Sequence, residues 1–80
     1  MTMLTLKHIK PGHGVRVLRV HGQGALRRRI MEMGVTPGAI LLLRKFAPLG
    51  DPLEIELRGY SLSLRRTDAA LVEVEEIGPM

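Results

Sequence analysis

The chain has 80 residues, a mass of 8.9 kDa, no cysteine and a formal net charge of +4. That length holds one domain, residues 1–80, whose stability rests on a single apolar core, and the missing cysteines exclude disulfides and thiolate metal sites. No apolar run approaches the ~20 residues of a membrane helix, and the first eleven residues lack the basic-then-apolar order of a signal peptide, so the expectation is a soluble cytoplasmic protein without direct membrane insertion.

Charge is unevenly placed along the chain. Residues 1–50 carry nine Lys and Arg and one acid, Glu32, a net of +8, whereas residues 51–80 carry three Arg and seven acids, a net of −4. The asymmetry gives a bipolar surface suited to a charged partner. Should basic and acidic strands become neighbours, it disappears on folding instead.

In chain order, Leu4, Leu6 and Ile9 form an alternating apolar stretch that stops at the Pro11-Gly12 turn. Val15 to Val20 is β-rich, and its alternation breaks at Leu18, the mark of a bulge. His21-Gly22-Gln23-Gly24 is a loop. Ala25 to Met33 reads as the single helix, with Leu26, Ile30 and Met33 on one stripe; Leu26 and Ile30 are expected in the core. Arg28 and Glu32 are spaced to pair on its outer face, and Gly34 is the expected left-handed stop. Pro37-Gly38 suits a type II turn. Ala39 to Leu43 is apolar at consecutive positions, as in a central strand covered on both faces. Ala47 to Pro52 is a stiff loop with Leu49 at its tip.

Leu53, Ile55 and Leu57 alternate with charged residues, and Leu62 and Leu64 alternate with serines, which predicts two strands of a hairpin. A turn at Gly59-Tyr60 would set Leu57 against Leu62, Ile55 against Leu64 and Glu54 against Arg65. Thr67 is placed to cap a helical turn over Thr67–Ala70, and Val72 and Val74 mark a last short strand. Short strands at this spacing predict a mainly β chain, a small barrel of about five to six strands with one short helix. Closing the barrel would remove the sheet edges.

Enzyme signatures are absent: there is no phosphate loop with its lysine and no Gly-x-Ser-x-Gly elbow. Glycines before the helix are read as an ordinary turn. His8, His13 and His21 are never paired at helical spacing. The best candidate for metal is His21 with Gln23 nearby, two donors that would hold Fe2+ or Zn2+ weakly at most; no cofactor is required. Arg27-Arg28-Arg29 is the sharpest charge feature, able to grip acidic groups, though three consecutive residues span about 200° of helix and cannot all face one partner. Met31 lies off the apolar stripe, where methionine suits an adaptable contact.

Three segments then stand out together: Arg29-Ile30-Met31-Glu32-Met33-Gly34-Val35-Thr36-Pro37-Gly38, Phe46-Ala47-Pro48-Leu49-Gly50-Asp51-Pro52-Leu53-Glu54-Ile55, and Arg58-Gly59-Tyr60-Ser61-Leu62-Ser63-Leu64-Arg65-Arg66-Thr67-Asp68-Ala69-Ala70. In this order they resemble the FeoA family, the small cytoplasmic component of bacterial ferrous iron transport. The resemblance implies an SH3-like barrel and a non-enzymatic accessory protein. Its implied partner is an FeoB-type ferrous iron transporter with a GTPase domain in its cytosolic part. Arg27, Arg28, Met31, Leu49, Asp51 and Tyr60 are the candidate partner-binding residues, and a homodimer is a further expectation.

Two other readings compete. Iron-dependent repressors carry a similar barrel that touches metal through a carboxylate and an amide near the helix start. Here the neighbouring positions are His21, Gln23 and Leu26, without a carboxylate. A small nucleic-acid-binding barrel fits the basic first half, but Phe46 and Tyr60 are the only aromatics available for stacking, which makes nucleic acid a poor partner.

Overall fold

The computed structural model describes residues 3–80. Five strands form one antiparallel sheet: β1 (His13–Val20), β2 (Ile40–Phe46), β3 (Leu53–Leu57), β4 (Tyr60–Leu64) and β5 (Val72–Pro79), in the order β4-β3-β2-β1-β5. Helix α1 (Gly24–Glu32) joins β1 to β2, and the four-residue α2 (Arg66–Ala69) joins β4 to β5. Alternate side chains of all five strands meet inside, where Val15, Val17, Leu41, Leu43, Leu53, Ile55, Leu64, Val72 and Val74 are buried with Leu6, Ile30 and Val35 from the connections.

Several local expectations hold. β1 and β5 shift register between Val17 and Arg19, which leaves Leu18 as the bulge residue. Gly34 ends α1 at φ 99°. Ala39 N–H donates to the Thr36 carbonyl at 2.9 Å across Pro37-Gly38, with Gly38 at φ 91°, the type II geometry.

Other expectations are corrected. The alternating apolar stretch at Leu4, Leu6 and Ile9 includes a 3-10 turn. His8 N–H donates to the Thr5 carbonyl at 3.0 Å, closing that turn over Leu6–His8, Thr5 N–H donates back to His8 Nδ1 at 3.2 Å, and Thr5 makes an isolated bridge to Glu73. β2 is central but covered on one face. Leu41 and Leu43 are buried, whereas Ile40 is exposed and Leu42 half-buried, because a sheet wrapped around its own core leaves its convex side to solvent. In α1, Ile30 is fully buried but Leu26 is 38% exposed. The first turn of the helix stands off the core, and only its second half docks.

The hairpin turns one residue earlier than expected. Leu57 pairs with Tyr60, Ile55 with Leu62 and Leu53 with Leu64, so Arg58-Gly59 is the turn and Arg65 lies beyond the ladder. Both turn residues have positive φ, 51° at Arg58 and 83° at Gly59, as type I′ requires. Moving the turn by one residue shifts the pairing by two, which keeps the same leucines on the same face. Hydrophobic alternation therefore cannot tell the two registers apart.

Thr67 does not cap α2. The residue at the N-cap is Arg65, and Arg66 N–H donates to the Asp51 carboxylate at 2.9 Å, a cap supplied from the preceding loop. The barrel also closes incompletely. Leu4 and Thr5 cover part of the β5 edge, with Val74 N–H donating to the Leu4 carbonyl at 3.0 Å, while among the described residues β4 has a strand neighbour on one side only.

Candidate functional site

The sheet neutralises most of its own charge. β1 lies beside β5, which sets His13 against Glu76 at 2.9 Å, pairs Arg16 with Glu75, and brings His21, just past β1, to Glu73 at 2.8 Å. β2 lies beside β3, with Arg44–Glu56 at 3.0 Å and Lys45–Glu54 at 3.3 Å. Six of the seven acids of residues 51–80 are thus engaged within the fold, counting Asp68 with Arg29, while most of the Lys and Arg residues are not. Among the described residues Arg28, Arg65 and Arg66 make no ion pair, and Arg27 uses its Nε to donate to the Val20 carbonyl at 3.0 Å.

Lys7, Lys10, Arg19 and Arg58 are also without an ion pair among the described residues, but Arg27, Arg28, Arg65 and Arg66 all lie on or beside the two helices. Arg27, Arg28 and Met31 line one surface concavity of about 450 Å³ with Gly24 and Glu32. The expected Arg28–Glu32 pair is not among the ion pairs of the described residues. α1 is tied to α2 by Arg29 and the buried Asp68, 3.4 Å apart. α2 is tied in turn to the Leu49 loop through Asp51, and an Arg66 guanidinium nitrogen lies close to Gly50. A strip of contacts thus links α1 to α2 through Arg29–Asp68 and the start of α2 to the Leu49 loop through Asp51–Arg66.

Leu49 is fully exposed, 104% of its reference area, and adopts φ 72°. Arg27, Arg28 and Met31 thus share the α1 concavity, whereas Leu49 and Asp51 lie on the separate loop that Asp51, acting as a helix cap, ties to the start of α2. Tyr60 stands apart, 71% exposed at the hairpin end of β4. Phe46 is half-buried and pairs with Leu53, at the other end of β3 from Tyr60, so the two aromatics do not form a common stacking platform.

The histidines each have a protein partner: His8 with Thr5, His13 with Glu76, His21 with Glu73. The His21–Glu73 contact supplies a carboxylate that the local sequence lacks, brought from 52 residues away. Gln23 is exposed at the N-cap of α1, without a capping bond. An imidazole and a carboxylate are two donors where zinc takes four. Among the described residues no third His, Cys, Asp or Glu completes a cluster.

Residues 4–76 match the FeoA domain. The chain belongs to the FeoA family. It is 40% identical over 74 residues to an Fe(2+) transport protein A/Fe(2+) transporter FeoB fusion protein of Porphyromonas gingivalis, covering 92% of this chain. The chain spans only 9% of that relative's length. Among solved structures, an FeoA-like protein from Clostridium acetobutylicum superposes with a TM-score of 0.86 at 37% identity, over 96% of this chain and 91% of that one. FeoA of Stenotrophomonas maltophilia, described as a prokaryotic SH3 domain protein and solved with zinc, gives 0.78 at 26% identity, over 90% and 89% of the two chains. The mainly β, SH3-like fold expected of a FeoA domain is the one observed.

Within this FeoA domain, sequence reading missed α2 as the bridge between the two candidate segments. Arg65 and Arg66 directly after an apolar strand were the available signal. Asp51 was readable as a polar loop residue, but its target lies 15 residues away and across the sheet end. No helix of the described residues is long and apolar enough to cross a membrane.

Proposed function

We propose that this FeoA-family chain is a non-enzymatic, cytoplasmic accessory protein of ferrous iron uptake that docks on the cytosolic, GTPase-bearing part of an FeoB-type transporter. The observation that carries this reading is the relative in which an FeoA-like stretch and an FeoB transporter are one polypeptide. Fusion turns an encounter between two chains into an intramolecular one, which is useful only if the parts work side by side.

The α1–α2–Leu49 strip supports the reading as the docking face. Unpaired arginines steer an acidic partner, Met31 adapts to its shape, and Leu49 supplies an apolar anchor on a loop held at both ends. Arg16, Arg44 and Lys45 on the sheet are already paired with carboxylates.

The test is binding of this chain to the purified cytosolic domain of the transporter from the same cell, with and without guanine nucleotide. Saturable binding is expected. Arg28→Glu and Leu49→Asp should each weaken it about tenfold with unchanged circular dichroism. Absence of binding by the unaltered chain overturns the reading, and undiminished binding by both variants overturns the assigned face.

A further inference from the structure

The open edge of β4 has a chemistry of its own. A two-residue turn makes Leu57 and Tyr60 a hydrogen-bonded pair, and the alternation of an antiparallel ladder then repeats at Ile55–Leu62 and Leu53–Leu64. The main-chain N–H and C=O groups of Tyr60, Leu62 and Leu64 point to β3. Those of Ser61 and Ser63 point away from it, to the side where β4 has no neighbour. Among the described residues, no loop backbone or side chain bonds to the main chain of either serine.

This edge also lacks the usual protections of an exposed strand. Tyr60-Ser61-Leu62-Ser63-Leu64 contains no charge and no proline. Tyr60 lies on the same face as Leu62 and Leu64, the face turned to the core, yet it is largely exposed, and Leu62 is only half-buried. The segment is close to symmetric about Leu62, with a serine on each side and a large apolar residue beyond each serine.

We propose that β4 pairs with β4 of a second copy of this chain, antiparallel, about a two-fold axis at Leu62. In that register Ser61 and the partner's Ser63 exchange both main-chain bonds, as do Ser63 and the partner's Ser61, so four bonds form and all four outward groups of each strand are used. Leu62 faces its own copy. Tyr60 faces the partner's Leu64, covering an aromatic ring that the single chain leaves in water. Two five-stranded sheets become one of ten strands. The interface is isologous, as a two-fold requires, and small, so the dimer is concentration-dependent. Arg58 and the partner's Arg66 flank the pairing at each end, so added salt strengthens association by screening their repulsion. This inference is independent of docking on the transporter, which is read by a different binding partner.

The absence of cysteine makes the register directly testable. Facing Cα atoms at a non-hydrogen-bonded pair lie about 4.5 Å apart, within disulfide reach. Under mild oxidation Leu62→Cys should close to a covalent dimer at least tenfold faster than Ser61→Cys, whose facing residue is Ser63 of the partner strand. Mixing Ser61→Cys with Ser63→Cys should restore fast crosslinking between the two variants. Sedimentation equilibrium of the unaltered chain should show the dimer fraction rising between about 10 µM and 1 mM. The double variant Ser61→Lys/Ser63→Lys, with two exposed sites changed, should raise the dissociation constant at least tenfold at unchanged thermal midpoint. A chain that stays monomeric throughout that range, or equal crosslinking rates at positions 61 and 62, would overturn the proposal.

Discussion

The sheet and the helical side of this small barrel use the same residue type in opposite ways. Arg16, Arg44 and Lys45 sit on strands beside strands that carry Glu75, Glu56 and Glu54, and each finds a carboxylate. Arg28, Arg65 and Arg66 sit on or before short helices with no acidic strand alongside. Antiparallel pairing brings distant segments side by side at fixed register and matches charges of opposite sign. A short helix whose outer side faces water has no such neighbour. Where a cation lies in the topology bears on whether it remains available to a partner, as does competition for the carboxylate: Arg19 on β1 lies opposite Glu73, but that carboxylate is paired with His21.

The most forceful way to break this comparison lies within α1 itself. Ile30 joins the helix to the core, whereas Leu26 stands on the exposed first turn. Ile30→Ala should destabilise the chain by about 2–5 kcal/mol, read by urea denaturation, and Leu26→Ala by under about 1 kcal/mol. Equal losses would mean that the first turn is part of the core and the basic face is less open than described.

A milder probe sharpens the contrast in charge. Arg16→Ala and Arg44→Ala each remove one exposed cross-strand pair, and each should change stability by about 1 kcal/mol or less. Neither should alter affinity for the transporter's cytosolic domain more than about twofold, against the tenfold loss expected at Arg28. Calorimetric titration of the variants side by side measures this. A comparable loss from the sheet variants would move the docking face to the strands.

The smallest effect concerns the hairpin that borders both regions. Arg58 holds φ 51° in a type I′ turn, a conformation asparagine adopts more readily than arginine. Arg58→Asn should stabilise the chain by about 0.5–1 kcal/mol, seen as a higher thermal midpoint. A lower midpoint would show that the arginine side chain supports the turn.

Much of this architecture is legible in the residues. The strands announce themselves by period two in Leu53-Glu54-Ile55-Glu56-Leu57, the bulge by the broken alternation at Leu18, and the helix stop by Gly34. What could not be read has a common cause. The hairpin register depends on whether Arg58 or Tyr60 enters the turn, and both choices bury the same leucines. Leu26 and Ile30 share one helical stripe, but periodicity says nothing about how far along that stripe the core extends. The candidate site was readable in pieces, as Arg27-Arg28 and as Leu49. What links those pieces, Asp51 reaching Arg66 and Arg29 reaching Asp68, are contacts between segments that sequence spacing does not relate.

Leu49 places two demands on one residue. At φ 72° a leucine is less stable than glycine by about 1–2 kcal/mol, and its fully exposed side chain returns none of that to the fold. Selection for folding alone would replace it. A leucine retained there is a folding liability, and a chain designed for maximal heat resistance at this corner would lose the one large apolar group that the loop holds out to water.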